Sequence, residues 1–191
     1  KRERRPKRRT FWTVDLPNYP DPTLNPTPED LPHGVVISNP GEKDATVSFE
    51  PPPGVVVDNP DPVVPAQQSR VFLMPVLNIK ATGVSHGGIR IVSTCPVLAH
   101  QFNPWDNTFS NDASLLLPAA EQGTEYFVVN LQHFKPGGTE YEFPGYVTVV
   151  GASELTAEVT ITPTTIEMRH MKPLRYIESR NCSSSLSVEQ I

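Results

Sequence analysis

Proline sets the tightest limit on what this chain can form: 22 of its 191 residues are proline, against 11 glycines. A proline has a fixed φ and no backbone donor, so helix interiors and central strand positions exclude it. Spread from Pro6 to Pro173, the prolines leave room only for short extended segments joined by rigid turns. The runs between them are β-like. Ala45–Glu50 (ATVSFE) alternates with Ala45, Val47 and Phe49 on one face, the mark of a half-buried strand. His33–Ser38, Val55–Val57, Arg70–Met74, Ile89–Thr94, Val97–Phe102, Ala113–Leu117, Glu125–Leu131, Tyr146–Val150 and Leu155–Ile161 read the same way. Turn clusters such as Asn39-Pro40-Gly41 and Pro51-Pro52-Pro53-Gly54 separate them, and Gly83–Gly88 reads as a loop. No helical apolar periodicity is sustained, and Ala119–Gly123 offers at most one helical turn. The expected fold class is all-β, a β-sandwich or jelly-roll-like arrangement of mostly antiparallel short strands, as an incomplete domain if the chain is a fragment.

Charge divides the chain unevenly. Residues 1–9 (KRERRPKRR) carry a net +6, whereas the whole chain carries −5, so the remainder is acidic at −11. An acidic body repels nucleic acid, and one short basic tail without interleaved aromatics does not make a nucleic-acid-binding domain. No stretch approaches the ~18 apolar residues of a membrane span. The organisation expected is a basic disordered arm (1–10), a β-rich module (11–163) and a poorly structured, serine-bearing tail (164–191). Cys95 and Cys182 belong to no CxxC pair, which argues against a structural zinc site. Cys95 reads as a small buried apolar residue and Cys182 as exposed, and sequence leaves their pairing open.

The polar cluster Asn103, Asp106, Asn107, Ser110, Asn111 and Asp112 is the richest set of candidate ligands. Its oxygens would suit Ca²⁺, but EF-hand spacing is missing and Asn and Asp are equally the residues of Asx turns, the favoured reading. With Trp105 and Phe109 the loop is the candidate recognition surface; the other role for these two aromatics is to cap the end of the sandwich. No catalytic set assembles. Gly83-Val84-Ser85-His86-Gly87 has the letters of a nucleophile elbow, yet a strand rather than a helix is expected after it. The five histidines show no metal spacing, and no cofactor or metal is expected.

Between Ile89 and Thr162 the chain reads IRIVSTCPVLAHQFNPWDN, FSNDASLLLPAAEQGTEYFVVN and YVTVVGASELTAEVTITPT. The order of these segments, with FWTVDLPN at Phe11–Asn18, resembles the N-terminal domain of the IgGFc-binding protein family in its bacterial secreted or surface form. The likeness covers roughly residues 11–163. Both flanks, KRERRPKRRT and the segment ending in SVEQI, depart from the family pattern. The resemblance implies a non-catalytic module outside the cytoplasm, at the cell envelope or surface, lipid-anchored in some full-length forms. It would bind a protein or glycoprotein partner, and Fc binding itself is not carried over. Two other readings stay open: a carbohydrate-active hydrolase or accessory domain with an incomplete site, and a rigid spacer in a larger surface protein.

Overall fold

The computed structural model describes residues 9–18, 23, 25–59, 61–77, 83–106, 112–129, 146–152, 159–161, 175–177 and 186–188. The chain divides into two compact units, Lys1–Ile79 with Gly87–Gly123, and Lys80–His86 with Thr124–Ile191. The 11–163 stretch expected as one module therefore spans both.

The first unit is a two-layer β-sandwich, which meets the expected fold class. One four-stranded sheet has the order β1 (Arg9–Val14), β7 (Gly88–Ser93), β3 (Ala45–Glu50), β4 (Val63–Val64). The other has the order β5 (Gln68–Leu73), β2 (Gly34–Asn39), β8 (Leu98–Asn103), β9 (Asp112–Leu116). Every pairing in these two sheets is antiparallel. Because side chains alternate along a strand, one face of each sheet turns inward. Phe11, Val47, Ile89 and Ile91 from the first sheet meet Val35, Ile37, Phe72 and Ala99 from the second in one buried cluster. At roughly 1.5–3 kcal/mol per fully buried large apolar side chain, this shared layer is the main source of stability. Phe49 and Phe72 touch across it with ring centroids 5.0 Å apart.

The chain changes sheet at β1–β2, β2–β3, β4–β5 and β7–β8, so corners have to be secured. Asn39, 2% exposed, secures one. Its Oδ1 accepts the Gly41 N–H at 3.0 Å, while its Nδ2 faces the carbonyls of Lys43, Val64 and Pro65 at 2.9–3.3 Å. Opposite it, Gln67 takes a left-handed backbone (φ 58°) and donates Nε2 to the carbonyl of Gly41 at 3.0 Å.

Several boundaries differ from the sequence reading for physical reasons. The Val55–Val57 run is not a strand. Gly54, at φ +82°, closes a turn in which Val55 N–H bonds Pro52 O at 3.1 Å, and the pairing position beside β3 goes to Val63–Val64. Gly83–Ser85, expected as loop, forms strand β6. Residues 125–129 of the expected strand Glu125–Leu131 form no strand with any of the described residues, and 130–131 lie outside them. The single turn expected after Pro118 is a 3-10 turn at Ala119–Glu121. β1 starts at Arg9, two residues inside the expected arm.

The second unit is described by short strands. β10 (Thr148–Val150), β12 (Arg175–Ile177) and β6 make a three-stranded parallel sheet, and β11 (Val159–Ile161) pairs in parallel with β13 (Leu186–Val188). β12 and β13 are the described part of the 164–191 tail. No helix among the described residues is long and apolar enough to cross a membrane.

Candidate interaction face

The two sheets of the sandwich present unlike outer faces. On the sheet containing β3, register aligns Trp12, Arg90 and Glu50 in one row and Thr10, Val92 and Ser48 in the next. Arg90 Nη1 donates to Glu50 Oε2 at 2.9 Å across the strands. Such a face is at ease in water.

On the sheet containing β8, Val71, Val36, His100 and Leu115 align in one row, and Leu73, Gly34, Phe102 and Ala113 in the next. A third row holds Ser69, Ser38 and Leu98, with Ser69 Oγ and Ser38 Oγ 2.8 Å apart. None of these outward positions is Asp, Glu, Lys or Arg. Leu73 is 48% exposed, Leu98 50% and Leu115 52%, and the row of Leu98 runs on toward Leu117 at 49%. Leucines scattered singly on a surface need no explanation, but a contiguous uncharged set on one sheet face does.

Trp105 borders this face. Its backbone N–H bonds Pro32 O at 2.8 Å, which draws the residue back over β2. The indole lies where a Cβ on Gly34 would sit 2.5 Å from Trp105 Cε3, so glycine is required at position 34 by the ring's close approach. It meets Phe102 edge-on, centroids 5.4 Å apart and planes at 86°, a favourable arrangement of ring quadrupoles. Trp105 thus does cap the sheet, and it adds aromatic surface to the apolar face.

Of the other residues of the expected recognition loop, Asn103, Asp106 and Asp112 are described, and they do not converge on one site. Asn103 ends β8 with its side chain turned inward, donating Nδ2 to Leu16 O at 3.0 Å and to Asn18 Oδ1 at 3.3 Å. Asp112 opens β9, paired in register with Asn103 and exposed. Asp106 is half-buried. Asn107, Phe109, Ser110 and Asn111 lie outside the described residues. No group of three or more His, Cys, Asp or Glu side chains able to hold a metal occurs among the described residues.

A buried polar line runs beneath, at the end of the sandwich. Thr13 Oγ1 donates to Gln101 Oε1 at 2.5 Å, and the His33 Nε2 lies 3.1 Å from the same hydroxyl. With the hydroxyl proton committed to Gln101, the imidazole carries its proton on Nε2. Gln101 also exchanges bonds with the Val14 backbone, accepting its N–H at 3.2 Å and donating to its carbonyl at 2.8 Å. His33 Nδ1 stands 3.9 Å from Asp15 Oδ1, while Asp15 Oδ2 accepts Leu77 N–H at 2.7 Å. Hydroxyl, imidazole and carboxylate in sequence are the parts of a nucleophilic triad. Here, however, Thr13, His33 and Asp15 are 1%, 0% and 2% exposed, and no substrate reaches them. Burial lowers the His33 pKa to about 4, outweighing a carboxylate at the limit of ion-pair range, so the ring is neutral at pH 7. The line is a stitch joining β1 to β8. Gly83-Val84-Ser85-His86-Gly87 is no nucleophile elbow either, since Gly83–Ser85 is a strand and β7 follows from Gly88. Cys95 is a free thiol, half-buried against the core.

Sequence reasoning did not find the apolar face. Its residues lie between Ser69 and Leu117 and in β2, and their adjacency depends on the strand order β5-β2-β8-β9, which no local pattern encodes. The usable signal was Arg70–Met74 and Ala113–Leu117, runs apolar on both alternating faces though each ends a sheet.

No family model matches the chain, and no curated protein does. Among solved structures, a crystal structure of a Thermotoga maritima protein is similar over 57% of this chain and 92% of its own, at 14% identity and a TM-score of 0.29. A likeness that low carries no argument about fold or function.

Proposed function

We propose that the sandwich is a non-catalytic binding module, working at the cell surface or outside the cell, which meets a protein or glycoprotein partner through the outer face of β5-β2-β8-β9. One observation carries this reading: of two outer sheet faces, one is polar with a cross-strand ion pair, and the other is uncharged and rich in half-exposed leucine. An uncharged leucine surface bordered by Phe102 and Trp105 suits the apolar centre of a protein interface better than a sugar, which needs convergent hydrogen-bonding groups. The resemblance of Ile89–Thr162 to the IgGFc-binding protein family supports the extracytoplasmic setting.

The test is a comparison of two charge insertions. Immobilised wild-type chain, Leu98→Asp and Ser48→Asp are each exposed to solubilised envelope or mucus protein. Capture of a defined partner by wild type and Ser48→Asp, lost in Leu98→Asp, supports the reading. Equal capture by all three, or none above an unrelated β-sandwich, sinks it.

A further inference from the structure

The first unit ends in the sequence at Gly123, and the second takes up the chain over Thr124–Ile191. Every residue from 120 to 129 is exposed, and 122–129 belong to no helix or strand among the described residues. Within this run Tyr126, Phe127, Val128 and Val129 are 62%, 96%, 61% and 96% exposed. That alternation has the two-residue period of an extended backbone, with Phe127 and Val129 on the more open side. Four large apolar side chains in a row, left in water, are not explained by burial within the chain.

An extended, exposed run of this length is the form in which a protease cleft takes its substrate, with main-chain hydrogen bonds for affinity and side-chain pockets for specificity. The sequence restricts which protease. No lysine or arginine occurs between Arg90 and Lys135, so a pocket that reads a cation has nothing to hold here. No proline occurs between Pro118 and Pro136, so the backbone donor beside every bond is present. What the run offers is an aromatic pair, which fits the hydrophobic slot of a chymotrypsin-like specificity pocket. Elsewhere among the described residues aromatic side chains lie in strands, except Trp105, packed on Phe102, and Tyr146, 37% exposed.

The geometry points to residues 124–129 as a processing site for an endoprotease with an apolar, aromatic-accepting pocket, with Phe127 in that pocket and cleavage before Val128. Exposure selects Phe127 over Tyr126, 96% against 62%. Water adds across the bond. The Phe127 carbonyl carbon gains its oxygen and becomes a carboxylate, the C–N bond breaks, and both water protons go to the Val128 nitrogen, which leaves as an ammonium. The cut keeps every strand of both four-stranded sheets on the N-terminal piece. β6 stays on that piece too, while its partner β12 lies on the other, so the second unit is divided and the sandwich is not. The inference is therefore independent of the binding function proposed above, whose face lies wholly on one piece.

Chymotrypsin at a limiting ratio to the folded full chain, with the new termini mapped by mass spectrometry, is the test. The first products are expected to be two pieces of about two-thirds and one-third of 21.1 kDa, ending at Phe127 and beginning at Val128. A chain that had to open before it was cut would be cut at the buried Phe11 and Phe72 as well. A Tyr126→Ser, Phe127→Ser double variant replaces only exposed rings, so its melting temperature is expected to be unchanged. Its initial cleavage rate is expected to fall by about tenfold or more, the scale on which a hydrophobic pocket discriminates. A first cut outside residues 126–128, a double variant cut as fast as wild type, or a wild-type chain that resists the protease where an unfolded control is digested each overturns the proposal.

Discussion

The sandwich has two sheets built on the same inner rule and opposite outer ones. Inside, both supply buried aliphatic and aromatic side chains to one layer. Outside, Thr46, Ser48 and Glu50 of β3 face water, whereas the sheet across the core shows leucine, valine and an aromatic pair. Stability within the unit accounts for the inner faces and for the polar outer one. It does not account for the apolar outer one, whose leucines leave about half of their surface in water. A face that keeps apolar surface exposed is where interaction is to be sought.

The largest effect should come from the layer both sheets share. Ile37→Ala, at a fully buried position of the apolar-faced sheet, is expected to cost about 2–5 kcal/mol in a denaturant melt. Val36→Ala, one residue along and outward, should cost well under 1 kcal/mol by the ordinary surface rule. If both cost the same, the outer face is not a surface, and the contrast between the sheets collapses.

Acid should weaken the sandwich through His33. Its folded pKa of about 4 lies below the unfolded value of 6.5, so between these limits the unfolded chain binds the extra proton. The stability is fully present above pH 6.5 and is lost as pH falls toward 4, by about 3 kcal/mol at 1.36 kcal/mol per unit. A His33→Gln variant, which keeps a hydrogen-bonding side chain but does not titrate, should flatten the profile over that window. An equally steep profile would show that the stitch between the sheets is not what titrates.

Gly34→Ala should cost about 1–3 kcal/mol, the range for overpacking, as the methyl group displaces the Trp105 indole. A shift in tryptophan emission should accompany it, and no shift would mean that the ring does not lie on the apolar face. Smallest is the ion pair on the polar side. Arg90 and Glu50 are each about one-third exposed or more, so a double-mutant cycle should return ~0.2–1 kcal/mol, fading with added salt. A much larger coupling would make the polar face the more structured of the two.

Local chemistry made part of this legible. Ala45–Glu50 was readable to the residue, since its alternation is unbroken and Pro51 stops it. Val63–Val64 was not, because two residues between prolines carry no period. Its place beside β3 is set by Ala45 and Thr46, far away in sequence. Trp105 stood out in sequence, but whether it looked outward or folded over Gly34 depended on β2 running beside β8. The polar line from His33 through Thr13 to Gln101 joins three distant segments and had no sequence signature at all.

The alternation of the chain between sheets also bears on how the molecule is made. β1 is completed only by β7, and Val14 waits for Gly88, 74 positions downstream. At synthesis rates of about 5–20 residues per second, that separation lasts roughly 4–15 s. During that interval Phe11 and its neighbours emerge from the ribosome with no strand to pair with. Contacts so far apart make slow folding the expectation. The chain's greatest exposure to aggregation therefore falls before its fold exists, while the first strand waits for the seventh.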